Sequence, residues 1–322
     1  MDQAPLRVVF LGNDPWSVPA LAAIDASAHE IALVVTAAPR PAGRGSKLRP
    51  TAVADAAHVA GRPLLETATI RDGGGTQRVR EAAPDVLVVV AFGELLTGEL
   101  LGLAPRGAVN LHFSLLPALR GAAPVQHALL AGLDETGVTT MRMDEGLDTG
   151  PILLQRPIVI GSDEDAGALG LRLAAAGGEL LVQTLDAAAR DALSPRIQDP
   201  TKATWAPKLG PADRVVDWSG AARELVRRVR ALSPAPAATT RFRGKGLKVF
   251  RAAAIDADAP PPGAQDAPDA PGTIVPGADA TPLVATGSGS VALLEVGPEG
   301  RGRMDGAAFA RGARIEAGER LG

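Results

Sequence analysis

Residues 85–91 read Asp-Val-Leu-Val-Val-Val-Ala, and this run decides the fold class. Its five central residues are all aliphatic, which is the pattern of a strand buried on both faces. A second run of this kind, Leu-Arg-Val-Val-Phe-Leu at 6–11, is ended by Gly12. Strands buried on both faces occur in parallel sheets that helices cover on each side. The two runs therefore predict an α/β protein.

Strand-like and helical segments alternate on both sides of the central run. Strands are predicted at 6–11, 30–36, 85–91, 108–112, 136–143 and 152–160. Helices are predicted at 17–26, 51–60, 76–83, 123–131 and 163–190. Three glycines at 73–75 lack the pattern of a phosphate-binding loop and are interpreted as a plain loop. The alternation predicts a doubly wound, mostly parallel, Rossmann-like sheet.

The pattern changes after about residue 195. Proline-containing pairs at 199–200 and 206–207 indicate a linker. One helix and five short strand-like segments follow, which predict a small OB-like β-barrel: 219–232, then 238–242, 247–253, 272–276, 282–286 and 291–296. Residues 256–271 are acidic and rich in proline, and we expect a surface loop there. The predicted domains are residues 1–195 and 211–322, joined by a linker at 196–210.

Composition excludes several classes of protein. The chain has 322 residues, of which 46% are hydrophobic, so it is long and apolar enough to bury a core. It contains no cysteine, which excludes disulfides, iron–sulfur clusters, cysteine-ligated zinc and a thiol nucleophile. It has no tyrosine and three tryptophans, so the core is expected to be aliphatic. No signal-like or membrane-spanning run is found, and we expect a soluble, cytoplasmic protein without a membrane partner.

Charge is unevenly distributed along the chain. The total is only −3 at pH 7, but residues 201–251 contain twelve Lys or Arg and three acids, a net charge of +9. The rest of the chain must then carry −12. Such asymmetry predicts that the basic segment meets an anionic partner.

One histidine lies where an α/β sheet binds its ligands. His112 ends the apolar strand at 108–112, and Asn110 lies two residues before it on the same face of the strand. An imidazole can move a proton near neutral pH, and an amide can stabilise a developing oxyanion, so the pair suits acyl transfer. A polar pair that satisfies buried backbone is the other interpretation. His29 and His58 lie in ordinary contexts and are interpreted as structural.

A second polar group follows the predicted strand at 136–143. Residues 144–151 read Asp-Glu-Gly-Leu-Asp-Thr-Gly-Pro, which indicates a turn. A carboxylate in this turn is able to hold a histidine from a neighbouring strand. Taken alone, the pattern is equally that of an ordinary turn with aspartates.

These motifs together resemble the formyltransferases that use 10-formyltetrahydrofolate. The resemblance rests on Asn110-Leu-His112, Ser114-Leu-Leu-Pro117, Arg120-Gly121 and Leu147-Asp-Thr-Gly150, with Phe10-Leu-Gly12, Pro41-Ala-Gly-Arg-Gly45, Thr204-Trp-Ala-Pro-Lys208, Asp217-Trp218 and Arg230-Ala-Leu-Ser-Pro234 as further matches. It runs from about residue 6 to 321. The first four motifs are specific to folate-dependent formyl transfer. A second domain separates the members that act on tRNA from the shorter members of the purine pathway.

The resemblance implies a set of site residues and a reaction. The implied catalytic residues are Asn110, His112 and Asp148, and the implied folate-contacting residues are Ser114, Leu115, Leu116 and Pro117. In the implied reaction, an α-amino group attacks the formyl carbon of 10-formyltetrahydrofolate, the cosubstrate, and no metal takes part. His112 would shuttle the proton, Asn110 would donate to the formyl oxygen, and Asp148 would orient His112 or a bound water.

The resemblance also implies that initiator methionyl-tRNA is the partner; no protein partner is indicated. The implied tRNA-binding residues are Arg44, Arg223, Arg227, Arg230, Arg241, Arg243 and Lys245. Arg44 matches a flexible loop that inserts at the acceptor end of the tRNA, although a solvated turn is the other interpretation of 38–50. Arg223, Arg227 and Arg230 form one stripe of a predicted helix. Arg241, Arg243 and Lys245 are predicted to share a strand face. Cations of this kind can contact the phosphates of a tRNA without recognising its base sequence.

Two alternatives remain at this stage. The first keeps the chemistry and replaces the tRNA by a sugar-nucleotide amine. The second is a non-catalytic RNA-binding relative that kept the fold. The basic segment and the arginine loop favour tRNA over a sugar nucleotide, and the three implied catalytic residues favour an enzyme over a binding protein.

Overall fold

The computed structural model describes residues 4–42, 47–255, 270–276 and 280–322. Arg44 and most of the acidic loop predicted at 256–271 therefore lie outside the described residues. The chain divides into two compact units. The first unit comprises Met1–Pro124, Glu135–Val159 and Gly170–Pro207, and the second comprises Val125–Asp134, Ile160–Leu169 and Lys208–Gly322.

The strands of the first half of the chain are β1 (Arg7–Gly12), β2 (Glu30–Ala37), β3 (Arg40–Ala42), β4 (Lys47–Arg49), β5 (Leu64–Thr67), β6 (Val86–Val90), β7 (Ala108–His112), β8 (Glu135–Arg142) and β9 (Ile152–Val159). Its helices are α1 (Val18–Asp25), α2 (Ala52–Val59), α3 (Gly73–Glu81), α4 (Gly98–Leu101), α5 (Pro124–Leu130) and α6 (Ala166–Ala189). All the strands and helices predicted for this half are present, with ends that differ by a few residues.

The first unit is built on a seven-stranded sheet in the order β5-β2-β1-β6-β7-β8-β9. The first five strands are parallel, and β8 and β9 are antiparallel to their neighbours. Every residue of β6 is buried, as its uninterrupted aliphatic run predicts. The doubly wound α/β prediction is therefore confirmed. After β1 the chain builds outward to β2 and β5, and β6 then begins the other side, so β1 and β6 form the switch point of the sheet.

Several details of this unit differ from the sequence prediction, among them the unpredicted pairing of β3 with β4. The glycines at 73–75 form the first turn of α3, because the Asp72 carboxylate caps the helix by accepting the N–H of Gly75 at 2.6 Å. The plain-loop interpretation was wrong. The short elements β5 and α4 were not predicted, since neither has the length or the periodicity that marks a strand or a helix in sequence.

The second unit carries the remaining elements. They are α7 (Ala222–Leu232), β10 (Ala238–Phe242), β11 (Lys245–Ile255), β12 (Ile274–Pro276), β13 (Pro282–Ala285), β14 (Ser290–Pro298), β15 (Met304–Asp305) and α8 (Gly306–Ala313). The strands form an antiparallel sheet in the order β10-β11-β14-β13-β12, with β15 paired to β14. The sheet is a curled half-barrel, and single bridges from Leu321 and Arg320 reach Phe242 at one edge and Thr273 near the other. The small β-barrel prediction is confirmed as this curled sheet.

The core of the second unit is aliphatic with a few aromatic rings. Leu225, Val229 and Leu232 of α7 are buried in it and form the apolar stripe of this helix. Trp218 is also buried, and its indole N–H donates to Thr240 Oγ1 at 3.1 Å. In the described parts of the chain, no helix is both long enough and apolar enough to span a membrane.

The hairpin between β10 and β11 corrects one prediction. Arg243 and Gly244 form its two-residue turn, and both have positive φ, +48° and +73°. Arg241 therefore lies on β10, Arg243 in the turn and Lys245 on β11. The prediction of one shared strand face was wrong, because the alternation ran across a turn.

Candidate active site

The candidate site lies at the carboxyl edge of the large sheet. His112 is the last residue of β7, and its side chain is buried. Asn110 lies two residues earlier and is half-buried. Because β1, β2, β6 and β7 are parallel, their carboxyl ends meet at this edge, where open α/β sheets bind ligands.

Hydrogen bonding settles which nitrogen of His112 carries a proton. His112 Nε2 lies 2.9 Å from the carbonyl oxygen of Leu119. A carbonyl oxygen can only accept, so Nε2 must be the N–H donor. In the neutral ring, Nδ1 is then unprotonated and basic. It lies 3.7 Å from Asp148 Oδ2, which is too long for a hydrogen bond but close enough to stabilise a positive imidazolium.

Asp148 is held in an uncommon backbone conformation. Its φ is +54°, in the left-handed region that non-glycine residues rarely adopt. Its Oδ2 accepts the main-chain N–H of Gly121 at 2.8 Å. The turn before it is closed by Asp144, whose Oδ1 accepts the Thr149 hydroxyl at 2.8 Å. Strained residues of this kind cluster at functional sites, and here the strain accompanies the histidine–carboxylate pair.

Asn110 has an amide that the described chain does not use. No hydrogen bond to this side chain is present among the described residues. The half-buried amide is therefore able to donate to a ligand atom at the edge of the sheet, which is the role that the resemblance implies.

The segment from Ser114 to Pro117 is fixed from behind. Thr139 of β8 donates its hydroxyl to the Ser114 carbonyl at 2.6 Å and accepts the Leu116 N–H at 3.2 Å. Gln155 of β9 donates to the Leu116 carbonyl at 2.8 Å. Ser114 and Leu116 are buried, whereas Leu115 and Pro117 are half-buried. The two half-buried residues are the ones that present surface to a ligand.

A cavity of about 290 Å³ opens at the switch point of the sheet. It is lined by Asn13, Ala37, Ala38, Arg40, Arg49, Thr51, Phe92, Gly93 and Glu94. These residues follow the ends of β1, β2 and β6, or belong to the β3–β4 hairpin and the cap of α2. Sequence reasoning did not single them out as site residues. The available signal was a polar residue directly after a buried strand, as Asn13 follows β1.

The arginines predicted on α7 differ in their surroundings. Arg223 is exposed. Arg227 packs its guanidinium against Gly132. Arg230 donates to the carbonyl oxygens of Gly161 and Glu164 at 2.7 and 2.9 Å. Burial lowers the pKa of Arg230 despite the nearby acids. Of the three arginines, Arg223 is the one exposed to solvent.

The cations on the β10–β11 hairpin also differ from one another. Arg243 forms a bidentate ion pair with Glu319, at 2.7 and 2.8 Å, and the hydrogen bonds of this pair raise the pKa of Arg243. Arg241 and Lys245 are exposed, and the Arg241 side chain donates to the Gly244 carbonyl at 3.1 Å. Arg44 lies outside the described residues. No cluster of potential metal ligands occurs within the described ranges.

Comparison with known proteins covers nearly the whole chain. The formyl transferase family matches residues 6–185, and its C-terminal domain matches residues 208–314. Curated relatives named methionyl-tRNA formyltransferase include one from Heliobacterium modesticaldum, 43% identical over 98% of this chain and 100% of its own length. Another, from Thermobifida fusca, is 44% identical over 98% of this chain and 99% of its own length.

Solved structures support the fold at lower identity. An N-formyltransferase from Helicobacter canadensis, solved with folinic acid and dTDP-3-aminofucose, matches with a TM-score of 0.65 at 15% identity, covering 89% of this chain and 98% of its own. HypX from Aquifex aeolicus also gives 0.65, at 16% identity, covering 95% of this chain and 49% of its own. With matches to both family domains and full-length relatives above 40% identity, the chain belongs to the formyl transferase family.

Proposed function

We propose that the chain transfers the formyl group of 10-formyltetrahydrofolate to the α-amino group of initiator methionyl-tRNA. One observation carries the proposal: the His112–Asp148 pair lies at the carboxyl edge of the sheet in a chain that matches tRNA-acting relatives along its full length. Substrates of this kind place the protein in the cytoplasm, where translation begins.

His112 takes the proton that the attacking amine loses. An amine must be neutral to attack, and its nitrogen loses a proton as the new C–N bond forms. Nδ1 is the unprotonated nitrogen of His112, so it accepts this proton while Nε2 stays bonded to Leu119. The Asp148 carboxylate, 3.7 Å away, stabilises the resulting imidazolium by charge.

Asn110 stabilises the negative charge that develops on the formyl oxygen. The formyl oxygen becomes negative as the amine adds to the formyl carbon, and the Asn110 amide donates to it. A single donor of this type contributes about 10²–10³ in rate. The bond between the formyl carbon and the folate nitrogen then breaks, the proton held by His112 passes to that departing nitrogen, and the formyl group remains on the amine.

The residues at the edge fit a folate. Such a cosubstrate is flat and partly apolar, and it supplies the formyl group. The half-buried Leu115 and Pro117 offer apolar surface directly after His112, on a segment that β8 and β9 hold from behind. A fixed backbone of this kind favours binding because little order must be gained on contact.

A sugar-nucleotide amine is the competing acceptor. The Helicobacter canadensis neighbour was solved with such a compound, but its 15% identity supports the fold alone. The basic segment 201–251 and the full-length similarity to proteins named for methionyl-tRNA favour tRNA.

The test offers each acceptor in turn. The protein is incubated with 10-formyltetrahydrofolate and methionyl initiator tRNA, a dTDP-linked amino sugar, or free methionine, and N-formyl products are measured by mass spectrometry. We expect rapid formylation of the tRNA-linked methionine and little of the other two. Preferred formylation of the sugar, or no formylation of any acceptor, would contradict the proposal.

A further inference from the structure

Residues 196–206, here called the connector, lie between the two regions that the family matches, which end at 185 and begin at 208. The connector is nevertheless hydrogen-bonded into the candidate site. Arg196 exchanges two main-chain bonds of 2.8 Å with Ile152, shortly after the Asp148 turn. Further along, Thr204 Oγ1 accepts the N–H of Leu119 at 2.8 Å. The carbonyl oxygen of Leu119 in turn accepts the hydrogen bond that orients His112.

The second half of the connector runs beside the loop that follows residues 114–117, here called the folate segment because the resemblance implies folate contact there. Arg120 donates its N–H to the Thr204 carbonyl at 2.8 Å and accepts the N–H of Ala206 at 2.7 Å. Gly121 has a φ of +119°, and a Cβ there would lie 2.7 Å from the Ala206 carbonyl oxygen. The two stretches of chain therefore approach so closely that only glycine fits at 121.

Gln198 is the side chain at the centre of these contacts. It is buried, and its Nε2 donates to the carbonyl oxygens of Asp148 and Gly150, each at 2.8 Å. Its Oε1 accepts from Nε and Nη2 of Arg120, at 3.1 and 2.7 Å. Carbonyls only accept and a guanidinium only donates, so the partners themselves fix which amide atom is oxygen. Both N–H groups and the oxygen of this amide are used.

These bonds support Asp148 from two sides. Gln198 donates to the main-chain carbonyl of Asp148. This bond helps to hold the Asp148 backbone in the left-handed conformation, which residues other than glycine disfavour. Gln198 also holds Arg120, and the next residue, Gly121, donates its N–H to the Asp148 carboxylate. One buried amide thus joins the backbone support and the carboxylate support of the same residue.

We propose that Gln198 is a positioning residue for formyl transfer, acting through Asp148, and that the connector is part of the active site. Among the described residues, Gln198 is hydrogen-bonded to neither His112 nor Asn110, so its effect on the reaction passes through the residue it holds. The inference rests on the proposed function, because it assigns Asp148 its role as the carboxylate that stabilises protonated His112.

A role in packing alone makes a different prediction. Loss of a packing contact lowers stability and leaves the rate of folded enzyme unchanged. Loss of a positioning contact lowers kcat while KM for both substrates stays the same, and the loss disappears once Asp148 itself is neutralised, since residues that act as a unit are not additive.

The experiment uses the full chain and four variants: Gln198→Met, Gln198→Glu, Asp148→Asn and the Gln198→Met/Asp148→Asn double variant. Initial rates with 10-formyltetrahydrofolate and methionyl-tRNA give kcat and KM, and thermal unfolding is measured alongside. For Gln198→Met we expect kcat to fall about 10- to 100-fold, the effect of misplacing a catalytic group by about 1 Å. We expect the double variant to be no slower than Asp148→Asn.

Gln198→Glu separates the two halves of the amide. It keeps an acceptor for Arg120 but places oxygen against two carbonyls, so we expect no rescue. Thr184→Val is the matched control, because it removes a buried hydroxyl whose partners, Leu180 and Thr140, are bonded neither to Asp148 nor to Gln198 in the described structure. We expect its kcat to equal that of the wild type.

Three results would overturn the inference. They are wild-type kcat in Gln198→Met, full rescue by Gln198→Glu, and a loss in the double variant equal to the product of the single losses. A failure of the proposed function is visible separately, because the wild-type protein would then not formylate the tRNA at all.

Discussion

At the scale of single residues, His112 is oriented by a main-chain carbonyl, and its acidic neighbour acts by charge. The bond from Nε2 to Leu119 leaves Nδ1 without a proton in the neutral ring, and Asp148 lies too far from it for a hydrogen bond. The tautomer is therefore set before any substrate arrives. In the proposed mechanism, Asp148 acts when the ring gains its second proton.

This arrangement predicts the effect of removing either group. We expect His112→Ala and Asp148→Asn each to lower kcat by at least about 100-fold. Asn is chosen at 148 because it tolerates positive φ, so the change removes charge without breaking the turn. The double variant should be little slower than the slower single one. Near-wild-type turnover in either single variant, with unfolding temperatures unchanged, would refute these roles.

His29 predicts an effect of pH on stability rather than on rate. Burial lowers the pKa of His29, and Asp186, 3.2 Å from Nε2, only partly offsets this. Its Nδ1 already accepts the Leu6 N–H, so protonation would break that bond. Below about pH 6.5, the unfolded chain takes up a proton that the folded chain resists, so stability present above that pH is lost as the pH falls.

Urea unfolding at pH 8 and pH 5.5 measures this loss. We expect wild type to lose more stability on acidification than His29→Gln does. His58→Gln is the control, because His58 is exposed on α2. Equal losses in all three proteins would show that His29 does not contribute.

At the scale of elements, two neighbours in the folate segment should respond differently to the same change. Leu115 is half-buried at the surface of the segment, whereas Leu116 packs in a buried cluster with Met141 and Ile152. Leu115→Asp is expected to weaken the binding of a folate analogue with little effect on folding. Leu116→Asp buries a charge and should destabilise the protein by roughly 3 kcal/mol or more.

Equilibrium titration with the analogue and urea unfolding, applied to both variants, give the two quantities. Unchanged analogue affinity in Leu115→Asp would argue against this segment as the folate contact. The Leu116→Asp result checks the packing independently of any ligand.

Elements with strong periodic patterns could be read from the sequence. The aliphatic run of β6 and the apolar stripe of α7 each specify a buried face, so the sheet and the helix followed. The short β5 and the Gly- and Ala-rich α8 carry too few apolar residues to show a period. The start of α3 depends on one cap, Asp72, which overrides three glycines.

The site was predictable where it follows strands and motifs, and hidden where it depends on long-range contacts. His112 and Asp148 stood in motifs that the resemblance identified, and the structure brings them together. Gln198 lies 50 residues from Asp148 and 78 from Arg120 along the chain. No local pattern announces such bonds, because they exist only once the loops and the connector have met.

At the scale of the whole molecule, the basic segment predicts salt-dependent binding of tRNA. Lys245 and Lys248 lie exposed on β11. Each phosphate that a cation neutralises contributes about −0.9 to the slope of log K against log salt. The Lys245→Ala/Lys248→Ala variant should therefore flatten the slope by roughly 1 to 2 and lower the affinity for all tRNAs to the same extent.

The matched comparison uses arginines that are bonded within the protein. Arg230 donates to the Gly161 and Glu164 carbonyls, and Arg243 is paired with Glu319. Arg230→Ala and Arg243→Ala should lower the unfolding temperature and leave the salt slope close to that of the wild type. Affinity measured across a salt series for the wild type and the three variants decides the matter, and identical slopes in wild type and the lysine variant would contradict this role for β11.

The placement of the three tryptophans gives the protein a set of built-in optical reporters. Trp16 packs edge-to-face with Phe113, the residue after His112, at 6.0 Å. Trp205 is exposed on the connector, and Trp218 is buried in the second unit. Because the chain has no tyrosine, its near-ultraviolet emission comes almost entirely from these three indoles. Replacing two of them by Phe would leave a fluorescence signal from one chosen region: the carboxyl edge of the large sheet, the connector or the second unit.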